Sequence, residues 1–394
     1  MVPELLRFPR ILVLMVLCSF LSVAAVVFTP AYPELSREFQ LSDSQAQWMM
    51  TIFLLGTAVG RLPYGPIANR IGRKNTLYLG LWISVLGTLV IIFANSYLLL
   101  CVGRGIQAIG CAVTLKIGYT MIADLHAGSA ATKVLSYAML AYAILPGIAT
   151  TVSGFLTASY GWRGGFWAFL VFNVFVILSC FCLPETLKEK DIHALKIKKI
   201  VAGYASQFKD LNLVLWASLM GLSTAIIYIF SQEAPFIAIE TIGLTPEEYG
   251  FMYLIPAFGI AGGSLLTAWL SDRVSSMMGM LFGILVIIGG SGAMSIFFLS
   301  HWVNGLALFL PQVFIQVGDA LLYTNTSSIG LSQANDKSNA SAVMLFINSV
   351  GGVLGTFLVG TIAPKNPMAV PVSFLIITVI MLMIWFILRR DGIR

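Results

Sequence analysis

Charge is scarce in this 394-residue chain: Asp, Glu, Lys and Arg make up 10% of it, against about 25% in soluble domains. So few charges cannot cover a water-facing surface of that size, which excludes a soluble enzyme and a disordered chain. Histidine is rarer still. The three, His126, His193 and His301, are unclustered. No P-loop and no nucleophile–base set appears, which argues against an ATP-driven pump and a membrane-embedded enzyme. The five cysteines (Cys18, Cys101, Cys111, Cys180 and Cys182) have neither metal-ligand nor disulfide spacing. They read as small packing residues, and no metal or cofactor is implied. Short alternating strands are lacking, which excludes an outer-membrane barrel. In-span charges are too few and too scattered for the filter rings of a channel.

What is present is apolar length. Hydrophobic residues are 58% of the chain and the mean hydropathy is +0.90. At about 20 residues per crossing, the apolar stretches predict an all-α membrane protein with twelve spans. They are 11–32, 46–68, 75–95, 97–122, 133–157, 164–183, 211–232, 248–270, 276–299, 303–326, 338–361 and 368–388. The first lacks a small-residue cleavage site and reads as a span, not a removed signal. The polar stretch 184–210 holds six lysines and divides the chain into two sets of six, 1–183 and 211–394. The net charge is +6, but the bases lie in loops and not among aromatics, so the bilayer is the partner and nucleic acid is not. With the N-terminus inside, 17 of the 23 bases fall in inner segments and 3 in outer loops. That bias predicts a multi-pass protein of the cytoplasmic (inner) membrane with both termini cytoplasmic. Gly65-Pro66-Ile67-Ala68-Asn69-Arg70 after the second span is echoed by Ser271-Asp272-Arg273 after the eighth, about 203 residues later. Two six-helix halves related in this way are a transporter architecture, with the substrate near the midplane.

The run from Phe53 to Lys74, which contains Gly65, Asn69, Arg70, Gly72 and Arg73, resembles the signature loop of the major facilitator superfamily. It is most similar to the bicyclomycin/chloramphenicol-resistance type of drug–proton antiporter. The resemblance implies twelve helices in two pseudo-symmetric six-helix bundles, alternating access to a small-molecule substrate, proton-coupled efflux and a monomer. It also implies that the loop latches the inner helix ends in one state, a bias of a few kcal/mol. Asn69 stands where that motif has an acid, whereas Asp272-Arg273 keeps the acidic form. Arg104-Gly105-Ile106-Gln107-Ala108-Ile109-Gly110 is similar to the family's R-x-x-Q-x-x-G motif. This implies that Arg104 and Gln107 face the first span near the proton or substrate path. Pro146 and Gly154 fit the family's antiporter motif in the fifth span, while Thr150 and Ser153 replace its second proline and a glycine. Val26 occupies the place of an aspartate common in the first span of the subgroup, so proton coupling cannot be carried over from that position. Glu34 lies beyond it at a solvated edge.

Read from the residues themselves, one acid lies well inside a span: Asp319. Gln312, Gln316, Asp319 and Tyr323 share one helical face, and a polar stripe in a membrane helix must face protein or water. The resemblance puts spans 1, 4, 7 and 10 around the cavity, so this stripe is the candidate substrate wall and Asp319 the candidate proton-coupling site. Arg104, Gln107, Cys111 and Thr114 form the matching stripe on the fourth span, with Tyr228 and Gln232 on the seventh. Lys116 falls off that stripe, free to snorkel, to pair with Asp319 or Asp124, or to bind an anion. Three in-span cations, Arg61, Arg104 and Lys116, against one acid suggest an alternative: import or export of an anionic metabolite or carboxylate siderophore. Asn348, Gly351, Gly352 and Gly355 read as a close-packing surface opposite the fifth span. Glu233, Glu240, Glu247 and Glu248 read as an exposed acidic loop.

Overall fold

The computed structural model describes residues 7–126, 129–271, 273–334, 337–362 and 366–390. Among the described residues there is no strand; eleven helices are long and apolar enough to cross a membrane, and with the long, more polar helix Asp43–Ile71 they make twelve crossings. The first is α1 (Arg7–Val26), broken by a 3-10 turn at Thr29–Ala31 and continued as α2 (Tyr32–Glu38). Pro30 and Pro33 lack the amide hydrogens that an unbroken helix would need there. Next come α3 (Asp43–Ile71), α4 (Arg73–Ile92), α5 (Tyr97–Leu125), α6 (Ser129–Tyr160) and α7 (Arg163–Ser179). A short helix, α8 (Ile197–Phe208), follows. The second set is α9 (Leu211–Pro235), the pair α10 (Pro246–Met252) and α11 (Leu254–Leu270), then α12 (Ser276–Leu299), α13 (Gly305–Gln333), α14 (Lys337–Ile362) and α15 (Ala369–Arg390).

Local chemistry sets several of the ends. Ser42 and Gln45 form a reciprocal capping box at the start of α3, as Thr245 and Glu248 do at α10. Gly72, with φ of 106°, turns the chain from α3 into α4, a conformation that glycine adopts without penalty.

Each set of six buries its own apolar cluster. One is built from residues between Leu14 and Leu183 with Phe236 added, the other from residues between Leu213 and Leu388. Glycines bring the backbones together in the same way in both. A side chain at Gly56 or Gly60 would strike α5, and one at Gly259 or Gly263 would strike α13. A side chain at Gly80 or Gly87 would strike α5, and one at Gly283 or Gly290 would strike α13. The four pairs Gly56/Gly259, Gly60/Gly263, Gly80/Gly283 and Gly87/Gly290 share a single spacing, the spacing of Arg70 and Arg273.

With an even number of crossings, both described chain ends lie on one side, here called the terminal side. The opposite, distal side is sealed between the halves. Tyr32 stacks on Phe236 at 6.1 Å, the Tyr249 hydroxyl donates to Thr29 Oγ1 at 3.2 Å, and Thr51 meets Thr356 at 3.1 Å. Thr151 donates to the Gly250 carbonyl at 2.8 Å, and Gly154 leaves just enough room for the Pro246 carbonyl. The expected packing of the eleventh span against the fifth is corrected by these contacts. α14 lies against α3 and α9, where Gly351 meets Gly221, Gly352 meets Leu54 and Thr224, and Gly355 meets Ala225. The partner of α6 is α10–α11. Across the interface span 2 pairs with span 11 and span 5 with span 8, so the small residues of α14 face the second span, and within their own half the seventh.

Candidate functional site

On α13, Gln312, Gln316 and Asp319 are buried and Tyr323 is half-buried. The stripe read from the sequence therefore faces protein and not lipid. Asp319 accepts a hydrogen bond from Ser223 of α9 at 2.5 Å. Both amide atoms of Gln312 and Oε1 of Gln316 are buried with no hydrogen-bond partner. Polar atoms left this way cost about 1–3 kcal/mol each unless water or a ligand meets them. Around Asp319, half-buried tyrosines gather from both halves. Tyr142 and Tyr323 lie within electrostatic reach of its carboxylate. Tyr228 and Tyr119 lie close to that pair.

Arg61 enters the same region from α3. Its Nη1 donates to the Leu345 carbonyl at 2.9 Å, Asn348 Oδ1 at 3.2 Å and Ser349 Oγ at 2.6 Å, all on α14. Asn348 in turn donates to the Met220 carbonyl at 3.0 Å and to Thr224. Every partner of Arg61 is neutral, and it lies within electrostatic reach of Tyr119, Tyr142, Tyr228 and Tyr323. Lys116 is half-buried and seated against Gly65, whose missing side chain provides the space. The suggested pairing of Lys116 with Asp124 or Asp319 is corrected. Asp124 is taken by Arg73 at 3.7 Å and by the Thr186 hydroxyl at 2.8 Å, and no acid pairs with Lys116 among the described residues.

Arg104 is buried and meets the first span as the resemblance implied. Its guanidinium lies over the rings of Phe28 at 3.6 Å and Phe53 at 4.2 Å. Nη1 donates to Gln107 Oε1 at 2.5 Å and to the Ala24 carbonyl at 3.4 Å. Gln107 turns elsewhere: its Nε2 donates to Thr88 of α4 at 2.9 Å. Cys111 meets Ser84 of α4 at 3.3 Å, and the Thr114 hydroxyl donates to the Cys111 carbonyl of its own helix at 3.0 Å. Gln107, Cys111 and Thr114 are thus consumed inside the first half. Their face of α5 packs on α4 because Gly87, Gly103 and Gly110 let those two backbones touch.

Glu233 is the residue that sequence reasoning missed. It is fully buried, not part of an exposed loop, because α9 runs on to Pro235 and continues as a wider π-type turn over Phe236–Thr241. Its carboxylate accepts from Gln47 of the first half at 2.9 Å and from Gln232 at 3.1 Å. Gln232 also donates to the Thr356 carbonyl at 3.1 Å. The signal was available in Gln232-Glu233-Ala234-Pro235, a sequence that continues a helix as readily as it ends one. Glu34 is half-buried, not fully solvated.

The signature loop is organised around a different acid from the one it lacks. Arg73 donates to Asn69 Oδ1 at 2.6 Å and Arg70 donates to the Ile192 carbonyl at 2.7 Å. Lys74 Nζ donates to the Leu183 and Phe181 carbonyls. Glu185 accepts the backbone N–H groups of Arg73 at 2.9 Å and Lys74 at 3.1 Å, at the first turn of α4. A side chain at Gly72 would collide with that carboxylate. Burial by itself would raise the Glu185 pKa. The N–H groups of Leu187, Arg73, Lys74 and Thr186 outweigh it and hold the group below its ordinary value of 4.5. In the second half, Asp272 lies outside the described residues, and Arg273 lies over Trp269 at 3.8 Å. Pro146 sits inside a continuous α6.

A model of the Major Facilitator Superfamily matches residues 12–356. An uncharacterized transporter of Rickettsia bellii is 26% identical over 378 residues, 93% of each chain. A bicyclomycin resistance protein homolog of Haemophilus influenzae is 22% identical over 251 residues, 64% of this chain and 63% of that one. Among solved structures, the xylose transporter XylE of E. coli in a partially occluded inward open conformation superposes with a TM-score of 0.74. It shares 15% identity and covers 95% of this chain and 97% of its own.

Proposed function

The chain belongs to the Major Facilitator Superfamily and is a transporter, not an enzyme, and on that premise we propose that it exports a small organic molecule from the cytoplasm in exchange for protons. The moving bodies are 1–183 and 211–394, joined by 184–210, in a monomer with both termini cytoplasmic. Export is favoured by the bicyclomycin resistance relative, and the terminus assignment by the 17-to-3 bias of basic residues.

The observation that carries the proton reading is Asp319, a carboxylate buried at midspan with one hydroxyl donor, Ser223. An ionised carboxylate there is costly unless solvated or paired, so its charge depends on which side the cavity opens to. A proton moving through 100 mV supplies about 2.3 kcal/mol, enough to bias a two-state transporter. The test is proton-driven accumulation of bicyclomycin, chloramphenicol and a lipophilic cation in inverted vesicles. Asp319→Asn should retain binding of the molecule the wild type transports and lose its accumulation against a gradient. Accumulation at the wild-type level would refute the assignment.

A second reading rests on Arg61 and Lys116, in-span cations that no acid neutralises among the described residues. They favour an anionic cargo, a polycarboxylate being the simplest probe. The two readings differ in the sign of proton linkage. A cation competes with the proton for Asp319, whereas an anion binds more tightly once Asp319 is neutral. Titration of the purified protein with a polycarboxylate and a lipophilic cation across pH separates them. Arg104, Gln312, Gln316, Tyr228 and Tyr323 remain proposed substrate contacts in either case.

A further inference from the structure

α8, in the segment between the halves, has two unlike faces. Ile200, Gly203, Tyr204 and Gln207 are half-buried and turn toward the protein. Through them the helix touches both halves. The Tyr204 hydroxyl donates to the Leu62 carbonyl of α3 at 3.0 Å, Gly203 fits against Asn339 of α14, and Phe208 meets Phe346 of α14 edge-on at 6.2 Å. On the other face Val201 is 58% exposed, and Phe208, at the boundary of the two faces, is 44% exposed. Ala205 is exposed between them, and the exposed Lys196, Lys198 and Lys209 lie at the two ends. No part of the described chain covers this edge.

Depth decides what does. Leu62 and Phe346 each lie about nine residues, or about 14 Å, inside the terminal-side ends of α3 and α14. Those helices have 29 and 26 residues, about 39–44 Å, against about 30 Å of hydrocarbon. Overhanging helices of that length place contacts 14 Å from their ends at or below the headgroup boundary. An apolar edge at that depth, flanked by lysines, matches an interfacial helix, and the lysines match phosphate-bearing headgroups.

We propose that this outer edge of α8 docks on the anionic headgroup layer of the terminal-side leaflet, and that this contact biases the balance between the transporter's two states. Because α8 is bonded to α3 and packed on α14, a lipid that holds it in place also holds those helices at that end. The surface is independent of the substrate site, so the proposal stands apart from the direction and coupling of transport.

The experiment uses the full chain in nanodiscs of phosphatidylcholine, alone or mixed with phosphatidylglycerol. A nitroxide is placed at Val201→Cys in a Cys182→Ser background. Docking predicts that the label meets membrane-dissolved oxygen more readily than an aqueous nickel chelate. The reverse preference marks a solvated face, or one reserved for a soluble partner, and overturns the proposal. A second readout is the distance between labels on the terminal-side ends of α5 and α13. Phosphatidylglycerol should shift the ratio of the two distance populations at least about threefold, and Lys196→Gln/Lys198→Gln/Lys209→Gln should remove the shift. No difference between the lipids, or an undiminished shift in the triple variant, also overturns it.

Discussion

In the first half, the charged side chain that bonds across to the other half is basic, Arg61. In the second half the buried charged groups facing the first are acidic, Asp319 and Glu233. Beneath that difference the backbones are packed alike, with glycines at matched positions holding α3 and α4 on α5, and α11 and α12 on α13. The duplicated part is the scaffold, and the part that differs is the chemistry facing the shared space. In the proposed exchange, unlike walls give a proton and a substrate different places to bind, which a symmetric site would not.

The comparison can be broken first at the scaffold. A side chain at Gly87 strikes the backbone of Gln107, whereas one at Gly290 meets chiefly the movable Ile315 side chain. Gly87→Ala should cost about 3 kcal/mol and leave little folded protein. Gly290→Ala should cost about 1 kcal/mol, and Gly262→Ala, with nothing nearby, should be neutral. Thermal unfolding monitored in detergent distinguishes these outcomes. Equal loss at Gly87 and Gly290 would mean that the halves are equally tight.

Next is the basic wall. Arg61→Ala removes three hydrogen bonds to α14, and Asn348 Oδ1 loses that donor. It should loosen the contact of α3 with α14 in the terminal half of the interface by about 1–3 kcal/mol, read as faster labelling of a cysteine placed at Leu345. Unchanged labelling would show that Arg61 serves the substrate and not this contact.

The smallest effect belongs to the signature loop. Glu185 is held below its ordinary pKa, so its support of the α4 start is complete at neutral pH and lost as the pH falls below 4.5 toward the folded value. Glu185→Gln should lower stability by less than about 1 kcal/mol at pH 7 and leave the variant and wild type equal in acid. A difference that persists in acid would point to packing at Gly72 instead.

Much of this was legible in the sequence. Twelve apolar runs, the stripe from Gln312 to Tyr323 and the contact of Arg104 with the first span follow from hydropathy, helical period and motif resemblance. Other features depend on partners far along the chain. Nothing near Arg61 announces Leu345 or Ser349, and nothing near Gln107 says that Gly87 will bring Thr88 within reach. Glu233 escaped because hydropathy ends a span where charge begins, whereas α9 continues through it on hydrogen bonds from another helix. The common spacing of the paired glycines was visible, but its meaning needs the contacts that they make.

The central claim is that protonation of Asp319 sets the balance between the two states. It is tested most directly by the distance between spin labels at Leu125→Cys of α5 and Ser332→Cys of α13, recorded as the pH is lowered. The wild type should show two populations whose ratio changes with pH, and Asp319→Asn should fix that ratio at all pH values. The same pH dependence in both proteins would contradict it.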